Sequence, residues 1–333
     1  MERTTQNAVA GREALQNRGA CRFSQQHLWG IVLAGGEGRR LRPFIRACLG
    51  IDCPKQYCAL INHRSMLYHT LRRVERLIPP DRLLLIITEP HLRYAQEELH
   101  DRTRETLIVQ PCNRETGPGI LLPLLHAHRR DPEAVVVLLP SDHFIREEER
   151  FMAAIKHAAD FVGDRPQYPV LLGVEATGPE VEYGWIEPGE MLCRQDGEAV
   201  YEVRRFWEKP SSEKAAELYR QGYLWNTMVL VVRATVLLDL FWELTPELMR
   251  AFLPILQALG SPREAEAMRT AYVNLPSTNF SQAILARCPH RLGVLRVQGV
   301  YWSDWGDPER ILRDRARFAL GQWRKVSQTG QMP

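Results

Sequence analysis

Apolar runs alternate with amphipathic segments along the first half of the chain. Continuous apolar runs suit strands that are buried on both faces of a sheet. Such runs predict four strands, at residues 31–33, 83–88, 107–110 and 134–139. Apolar positions at helical spacing predict helices between them, at residues 67–78, 91–100, 116–130 and 147–162. This β-α-β-α rhythm predicts an α/β fold, in which a mostly parallel mixed sheet is flanked by helices on both faces.

The second half of the chain has a different pattern, with strand-like segments that lie closer together. These segments are residues 170–174, 183–186, 199–207, 225–233 and 291–302. Helices are predicted at residues 211–221, 234–269 (interrupted by prolines) and 308–320. We therefore predict one domain with two halves. The domain covers residues 27–320, its halves are about 27–165 and 166–320, and it is flanked by a disordered extension at 1–26 and a flexible tail at 321–333.

Composition narrows the range of partners. The 333 residues carry a net charge of +3, which is too balanced for a protein that coats nucleic acid. No apolar run approaches the roughly 20 residues needed to span a bilayer, and the polar N-terminus lacks the apolar core of a signal peptide. The seven cysteines are odd in number and form no C-x-x-C pair, which is typical of reduced thiols. We expect a cytoplasmic protein without nucleic-acid or membrane partners.

The first strand runs into a glycine-rich and then a cationic segment. Gly35, Gly36 and Gly38 are followed by Arg39, Arg40 and Arg42, and later by Pro54 and Lys55. Glycine lets backbone N–H groups approach phosphate oxygens, and arginine neutralises their charge. Neither the dinucleotide fingerprint nor the P-loop pattern fits this loop. The glycines alone are equally compatible with a simple turn whose arginines are solvated. The presence of Lys55 on a second loop favours a loop that binds a triphosphate.

Two aspartates follow strand-like segments and are candidate metal ligands. Asp142 comes directly after the run at 134–139, and Asp304 follows the segment at 291–302. Magnesium usually takes one or two carboxylates together with substrate phosphates. Each aspartate alone is more commonly a helix or turn cap. Beside a triphosphate loop, however, the pair favours magnesium binding.

The second half contributes three further candidate segments. Lys209 lies between a predicted strand and a proline, which hold its backbone rigidly, so its ammonium is well placed to contact a phosphate. Glu208 beside it could accept hydrogen bonds from hydroxyl groups. Gly184 permits close backbone approach to a ligand, and the Asn226 amide can both donate and accept. Each of these residues alone would usually be a strand end or a turn.

In this order, the segments resemble those of the sugar-1-phosphate nucleotidylyltransferases, and especially the mannose-1-phosphate guanylyltransferases. The resemblance covers about residues 28–320, and it rests on eight ordered segments, which together are far more specific than any single motif. The segments are GGEGRRLRP at 35–43, PKQ at 54–56, RETGPG at 114–119, PSDH at 140–143, EYGWI at 182–186, WEKP at 207–210, WNT at 225–227 and WSDWG at 302–306.

The resemblance implies a Rossmann-like fold of the nucleotide-diphospho-sugar transferase type and a reaction. In that reaction a sugar 1-phosphate attacks the α-phosphorus of a nucleoside triphosphate, and pyrophosphate leaves. The first half would bind the nucleotide, with GTP favoured, and the second half the sugar phosphate. The implied catalytic residues are Arg40, Lys55 and Asp142, and the implied Mg²⁺ ligands are Asp142 and Asp304. The implied nucleotide-binding residues are Gly35, Gly36, Gly38, Arg39, Arg114, Thr116 and Pro118, and the implied sugar-phosphate-binding residues are Gly184, Glu208, Lys209 and Asn226.

Several residues depart from the family pattern. Arg39 replaces a small hydroxyl residue, Glu115 replaces an asparagine, Met228 replaces a glycine and Asn279 replaces an aspartate, while extra residues at 47–53 separate the glycine loop from Lys55. The alternatives are therefore a catalytically weak relative that binds nucleotide or sugar phosphate as a regulator, and the same chemistry with another nucleotide and sugar. The sequence leaves the oligomeric state open, and a homodimer is one of the possible assemblies.

Overall fold

The structure is a computed structural model that describes residues 25–100, 102–195 and 197–320. The predicted extension at 1–24 and the predicted tail at 321–333 lie outside the described residues. Gln25 and Gln26 were predicted to belong to the extension, but they begin a 3-10 turn at Gln25–His27 and their carbonyl groups accept hydrogen bonds from Arg82. No helix in the described ranges has the length and apolar character that crossing a bilayer requires.

Among the described residues, nine strands form one mixed sheet, and two short strands form a separate ribbon. The strands are β1 (Leu28–Leu33), β2 (Leu83–Thr88), β3 (Leu107–Gln110), β4 (Val135–Pro140), β5 (Phe144–Ile145), β6 (Val170–Glu175), β7 (Gly184–Gln195), β8 (Glu198–Glu208), β9 (Leu224–Arg233), β10 (Gly293–Val297) and β11 (Trp302–Ser303). The sheet order is β3-β2-β1-β4-β9-β6-β10-β8-β7, and β5 pairs with β11 in the ribbon. The predicted mixed sheet with flanking helices is confirmed.

Helices cover both faces of this sheet. They are α1 (Arg42–Leu49), α2 (Met66–Val74), α3 (Gln96–Leu99), α4 (Thr116–Arg130), α5 (Glu148–Asp164), α6 (Ser212–Arg220), α7 (Ala234–Leu244), α8 (Pro246–Ala258), α9 (Glu264–Val273), α10 (Phe280–Ala283) and α11 (Pro308–Arg317). Side chains alternate along the strands, so the two faces of the sheet form two apolar cores.

The first half is a parallel sheet, as its apolar runs predict. Strand β1 pairs in parallel with β2 on one side and with β4 on the other. Leu33, at the end of β1, lies opposite Pro140, at the end of β4. The segments that follow these two strands therefore begin side by side at the carboxyl edge, where such sheets bind their ligands.

Strand β9 joins the two halves. It pairs antiparallel with β4 of the first half, and antiparallel with β6 and β7 of the second. Hydrogen bonds across a shared strand make the nine strands one continuous sheet. The switch to antiparallel pairing depends on contacts between distant segments, so the local pattern contains no sign of it.

Three sequence predictions are corrected by the structure. The helix predicted at 91–100 is a 3-10 turn at Glu89–His91 followed by the short helix α3. The strand predicted at 291–302 divides into β10 and β11, because Gly299 turns the chain at a φ of 65°. The helix predicted to continue to Ile78 already ends at Val74.

Candidate active site

The glycine loop after β1 is held in place by the segment around Lys55. The Gln56 side chain donates hydrogen bonds to the carbonyl oxygens of Ala34 and Gly36, at 2.9 and 2.7 Å, and the Tyr57 hydroxyl donates to Ala34 at 2.8 Å. Gly38 has a φ of 57°, and a Cβ there would lie 3.2 Å from the backbone nitrogen of Lys55. The two loops are therefore packed backbone to backbone, which requires glycine at position 38.

The extra residues before Lys55 form the end of a helix and its return. Helix α1 ends at Leu49 and is capped by Gly50, whose φ of 74° is common for a residue that terminates a helix. The Asp52 carboxylate then forms ion pairs with Arg46 at 2.9 Å and with Arg42 at 3.6 Å. The added length is thus folded back against α1, and Lys55 stays beside the glycine loop.

Lys55, Asp142 and Asp304 come together although they lie on three distant segments. The Lys55 side chain is 6% exposed, and its Nζ lies 3.0 Å from Oδ2 of Asp142. The same ammonium donates hydrogen bonds to the backbone carbonyl groups of Asp304 and Trp305, the latter at 3.3 Å. Ser141 fixes Asp142 next to β1, because its hydroxyl donates to the Leu33 carbonyl oxygen at 2.7 Å. The structure therefore joins two residues predicted to be catalytic with the second predicted metal ligand.

Asp304 is oriented by a buried arginine. Arg310, in the first turn of α11, donates to Oδ1 of Asp304 and also forms an ion pair with Glu180 at 3.0 Å. The Tyr183 hydroxyl donates to the same Oδ1 at 2.8 Å, and the backbone N–H of Gly306 donates to it at 2.9 Å. These donors converge on one oxygen and fix the orientation of the carboxylate.

Both aspartates are held in their ionised form. Burial alone would raise the pKa of Asp142, but the nearby Lys55 ammonium outweighs it, and the pKa lies below its usual range. Burial likewise opposes ionisation of Asp304, and the charges of Lys55 and Arg310 bring its pKa below the usual range. Burial lowers the pKa of His143, which lies 3.8 Å from Asp142. Two carboxylates thus remain negative at neutral pH at this edge of the sheet.

The two carboxylates fit a magnesium site that is completed by a substrate. Within residues 25–100, 102–195 and 197–320, no three His, Cys, Asp or Glu side chains form a cluster that could hold a metal by themselves. Asp304 Oδ2, in contrast to Oδ1, accepts no hydrogen bond from any described residue. Magnesium prefers oxygen ligands, retains waters and takes phosphate oxygens as ligands. This donor set suits magnesium better than zinc, which favours nitrogen and sulfur.

Two predicted phosphate-binding cations share one carboxylate at the rim of the site. Arg40 donates to Oε2 of Glu182 at 2.6 Å, and Lys209 Nζ lies 3.7 Å from the same oxygen. Lys209 has a φ of 49°, and its N–H donates to the Tyr183 carbonyl oxygen at 3.3 Å, so the start of its side chain is fixed. Arg39 instead pairs with Glu37 at 2.6 Å and is 81% exposed.

The residues predicted to bind sugar phosphate form a second cluster. A Cβ on Gly184 would lie 3.2 Å from Cβ of Asn226 and 3.3 Å from Oε2 of Glu208, so only a glycine allows these side chains to approach. Burial raises the pKa of Glu208. Met228 has a φ of 60°, and its sulfur lies 3.5 Å from the Asn226 amide nitrogen and 3.1 Å from the Ser281 hydroxyl. A methionine in this left-handed conformation is strained where a glycine would not be.

The segment around Arg114 is paired with residues 278–280. The N–H of Gly117 donates to the Thr278 carbonyl oxygen at 2.7 Å, and the N–H of Phe280 donates to the Thr116 hydroxyl at 2.9 Å. The Arg114 guanidinium donates to the carbonyl groups at the end of α9, among them that of Val273 at 2.9 Å. Pro118 is buried within the first turn of α4. Arg114 therefore holds this segment in place, and its contact with a nucleotide stays a prediction.

Four residues at the site received no role from the sequence. Gln56 and Glu182 lie within recognised segments, yet nothing local shows which loop or cation they contact. Gln110 ends β3 at the same edge, and its amide nitrogen would lie 2.7 Å from a Cβ on Gly35. Arg310 stands three residues after Asp307 on a predicted helix, a spacing that favours an ion pair but does not reveal the contact with Asp304.

Comparisons with known proteins show which family the sequence matches. The model of the family described as nucleotidyl transferase matches residues 29–319 of the chain. A mannose-1-phosphate guanylyltransferase of Escherichia coli K12 is 29% identical over 305 residues, covering 90% of this chain and 62% of that protein. A mannose-1-phosphate guanylyltransferase of Salmonella typhimurium is 28% identical over 284 residues, covering 83% of this chain and 56% of that protein. The chain thus spans about three fifths of the length of these relatives.

Solved structures show the same fold. A crystal structure from Thermus thermophilus, described as a mannose-1-phosphate geranyltransferase, superposes with a TM-score of 0.72 at 28% identity, and covers 86% of this chain and 79% of that one. A structure described as a glucose-1-phosphate thymidylyltransferase from Bacillus anthracis superposes with a TM-score of 0.54 at 15% identity, covering 90% of this chain and 98% of that one. The second likeness concerns the fold alone.

Proposed function

The chain belongs to the nucleotidyl transferase family, and we propose that it transfers a nucleotidyl group from a nucleoside triphosphate to a sugar 1-phosphate. The observation that carries the proposal is the convergence of Lys55, Asp142 and Asp304 beside the glycine loop. We further propose GTP and mannose 1-phosphate as the substrates and GDP-mannose as the product. The support for this pair is the naming of the relatives from Escherichia coli and Salmonella typhimurium.

In the proposed reaction, an oxygen of the sugar 1-phosphate forms a bond to the α-phosphorus of the triphosphate. The bond from that phosphorus to the oxygen leading to the β-phosphate breaks, and its electron pair leaves with pyrophosphate. Arg40 neutralises the leaving pyrophosphate, and Lys209 orients the attacking sugar phosphate. Because no covalent intermediate on the protein is needed, the work of the site is positioning and charge neutralisation.

Asp142 and Asp304 would hold the magnesium ion, and when bound it would neutralise charge on the triphosphate. The Lys55 ammonium keeps both carboxylates ionised and close to the glycine loop. Gly184, Glu208 and Asn226 would bind the sugar, since a carboxylate and an amide supply acceptors and donors for its hydroxyl groups. Gly35 and the segment from Arg114 to Pro118 would face the base and ribose.

The test is a panel of substrates. The protein would be incubated with Mg²⁺ and mannose 1-phosphate, and with GTP, ATP, UTP, CTP or dTTP in turn, while pyrophosphate release is measured. We expect release with GTP. Release only with another nucleotide would overturn the guanylyl assignment and retain the chemistry. Binding of nucleotide without release, for every nucleotide and for several sugar 1-phosphates, would instead show a regulator.

A further inference from the structure

Glu182 bridges two cations that come from different parts of the chain. Its side chain is 42% exposed and precedes β7, whereas Arg40 follows β1 and Lys209 follows β8. One oxygen, Oε2, lies 2.6 Å from an Arg40 nitrogen and 3.7 Å from Lys209 Nζ. Among the described residues, Glu182 is the only one that forms an ion pair with either cation.

This oxygen lies close to both cations, as a phosphate oxygen bound by them would. The proposed function assigns Arg40 to the phosphates of the nucleotide and Lys209 to the phosphate of the sugar. A carboxylate oxygen and a phosphate oxygen carry the same sign of charge and accept the same hydrogen bonds from these groups. The hydrogen bond from Arg40 lowers the pKa of Glu182 against the opposing effect of burial, so the carboxylate is charged at neutral pH. A bound phosphate and a charged Glu182 therefore compete for the same two cations.

The two cations differ in their freedom to move. The Arg40 side chain is 67% exposed, and Glu182 is its only ion-pair partner among the described residues. The Lys209 backbone is held by the Tyr183 carbonyl group, and its side chain is 49% exposed. Without Glu182, the arginine would sample many rotamers, and both cations would lose the carboxylate that forms their ion pairs. Glu182 thus keeps both cations together in the absence of substrate.

We propose that Glu182 is an internal substitute for substrate phosphate, which holds Arg40 and Lys209 until the phosphates of the two substrates displace it. This inference rests on the proposed function, because it takes both cations as phosphate ligands. It assigns Glu182 a positioning role that lowers the affinity for phosphates. A single inorganic anion gains little by entering, whereas a substrate with many contacts elsewhere can displace the carboxylate.

The test compares the binding of inorganic pyrophosphate and of GTP to the wild-type protein and to Glu182→Gln, by calorimetry without sugar phosphate. Removing the competing charge should tighten both affinities by about fivefold, the range expected for partly exposed ion pairs. The gain should shrink as sodium chloride is raised, since salt screens exposed charges. Glu190→Gln is the matched control, because Glu190 lies exposed on β7, has no ion pair among the described residues, and its loss changes the net charge equally.

Unchanged or weaker binding by Glu182→Gln would overturn the inference, and so would an equal gain in Glu190→Gln. Glu182→Asp keeps the charge on a shorter side chain, so its affinity should lie between those of wild type and Glu182→Gln. This variant replaces Glu182→Gln in the test if the glutamine variant does not fold. Failure of the proposed function would look different. In that case the wild-type protein itself would release no pyrophosphate from any pair of substrates.

Discussion

Lys55 and Asp142 form an ion pair of 3.0 Å in which the lysine is buried and the aspartate is partly open to solvent. The lysine lies after the glycine loop and the aspartate after β4, so the pair joins the two carboxyl ends that flank the site. The buried Lys55 ammonium needs a counter-charge, which Asp142 supplies. The part of the Asp142 carboxylate that is open to solvent can still contact a ligand. This asymmetry underlies the first prediction.

Under the proposed function, Asp142→Asn should strongly reduce magnesium-dependent turnover while the protein still folds. The amide oxygen can still accept a hydrogen bond from Lys55, but it no longer supplies negative charge to a metal. We expect pyrophosphate release to fall on the order of 100-fold or more. Circular dichroism and the midpoint of thermal unfolding check the fold. Asp164→Asn, an equal charge change at the exposed end of α5, is the control, and near-normal activity of Asp142→Asn would remove Asp142 from the site.

Glu208→Gln should raise thermal stability at pH 7, and the gain should disappear in acid. Burial raises the pKa of Glu208 in the folded state, so the folded protein binds its proton more tightly than the unfolded chain does. The free energy of unfolding therefore falls as the pH rises from the unfolded pKa, about 4.3, through the folded pKa. The glutamine variant has no such titration. Thermal unfolding between pH 4 and 8 measures the difference.

The exposed Glu190 is the control for this titration. Glu190→Gln makes the same change of charge at an exposed position of β7, so an effect of the lost charge alone would appear in this variant too. If Glu208→Gln were less stable than wild type at pH 7 and equally so at pH 4, the burial cost would not be the cause. Under the proposed function, Glu208→Gln should also weaken sugar phosphate binding, so stability and activity would change in opposite directions.

Met228→Gly should be more stable than Met228→Ala, which reverses the usual order of glycine and alanine. Both variants lose the sulfur contacts with Asn226 and Ser281. Only glycine relieves the left-handed backbone at a φ of 60°, which is worth about 1 kcal/mol in unfolding free energy. Urea unfolding of the two variants measures this difference. An alanine variant as stable as the glycine variant would show that the backbone relaxes.

The same pair of variants tests the choice of sugar. The Met228 side chain covers the Asn226 amide, so its removal should admit sugar 1-phosphates with bulkier substituents. Specificity, measured as the ratio of kcat/KM values over a panel of sugar 1-phosphates, should broaden equally in Met228→Gly and Met228→Ala. Broadening in the glycine variant alone would assign the effect to the backbone.

Gly35→Ala should destabilise the protein through Gln110. The new Cβ would lie 2.7 Å from the Gln110 amide nitrogen, so the amide must move, and its hydrogen bond from the Tyr272 hydroxyl would be lost. A loss of about 1 kcal/mol in unfolding free energy is expected. Gly36→Ala is the control, because a Cβ there meets no atom within 4 Å. In the double variant Gly35→Ala, Gln110→Ala the two effects should be less than additive.

The parts of the fold that depend on local pattern were the parts that sequence could predict. The bounds of β2 and β3 match the predicted runs, because a continuous apolar run marks a strand both in β2, which is buried on both faces, and in β3, which lies at the sheet edge and alternates half-buried and buried side chains. Asp142 could be placed at a strand end for the same reason. The strand at β9 was predicted, but its antiparallel pairing and the ribbon of β5 with β11 could not be, because both depend on pairing between segments that are far apart in sequence.

The same distinction holds at the site. The sequence motifs could assign Lys55 and Asp304 to the same nucleotidyl-transfer site. They could not reveal that the Lys55 ammonium contacts the Asp304 carbonyl group. Glu182 and Arg310 are ordinary surface-type residues by composition, and only the folded chain shows that they hold Arg40 and Asp304. Roles that require a partner on another segment are not visible in a single motif.

The late position of Asp304 has a consequence for synthesis of the chain. Lys55 and Asp142 leave the ribosome well before the ribbon strand β11 and helix α11, which bring Asp304 and Arg310 to the site. Until then the Lys55 ammonium lacks the Asp304 and Trp305 carbonyl groups that accept its hydrogen bonds. Under the proposed function, translation that stops before Asp304 therefore yields a fragment that lacks the second metal ligand and the acceptors of the Lys55 hydrogen bonds.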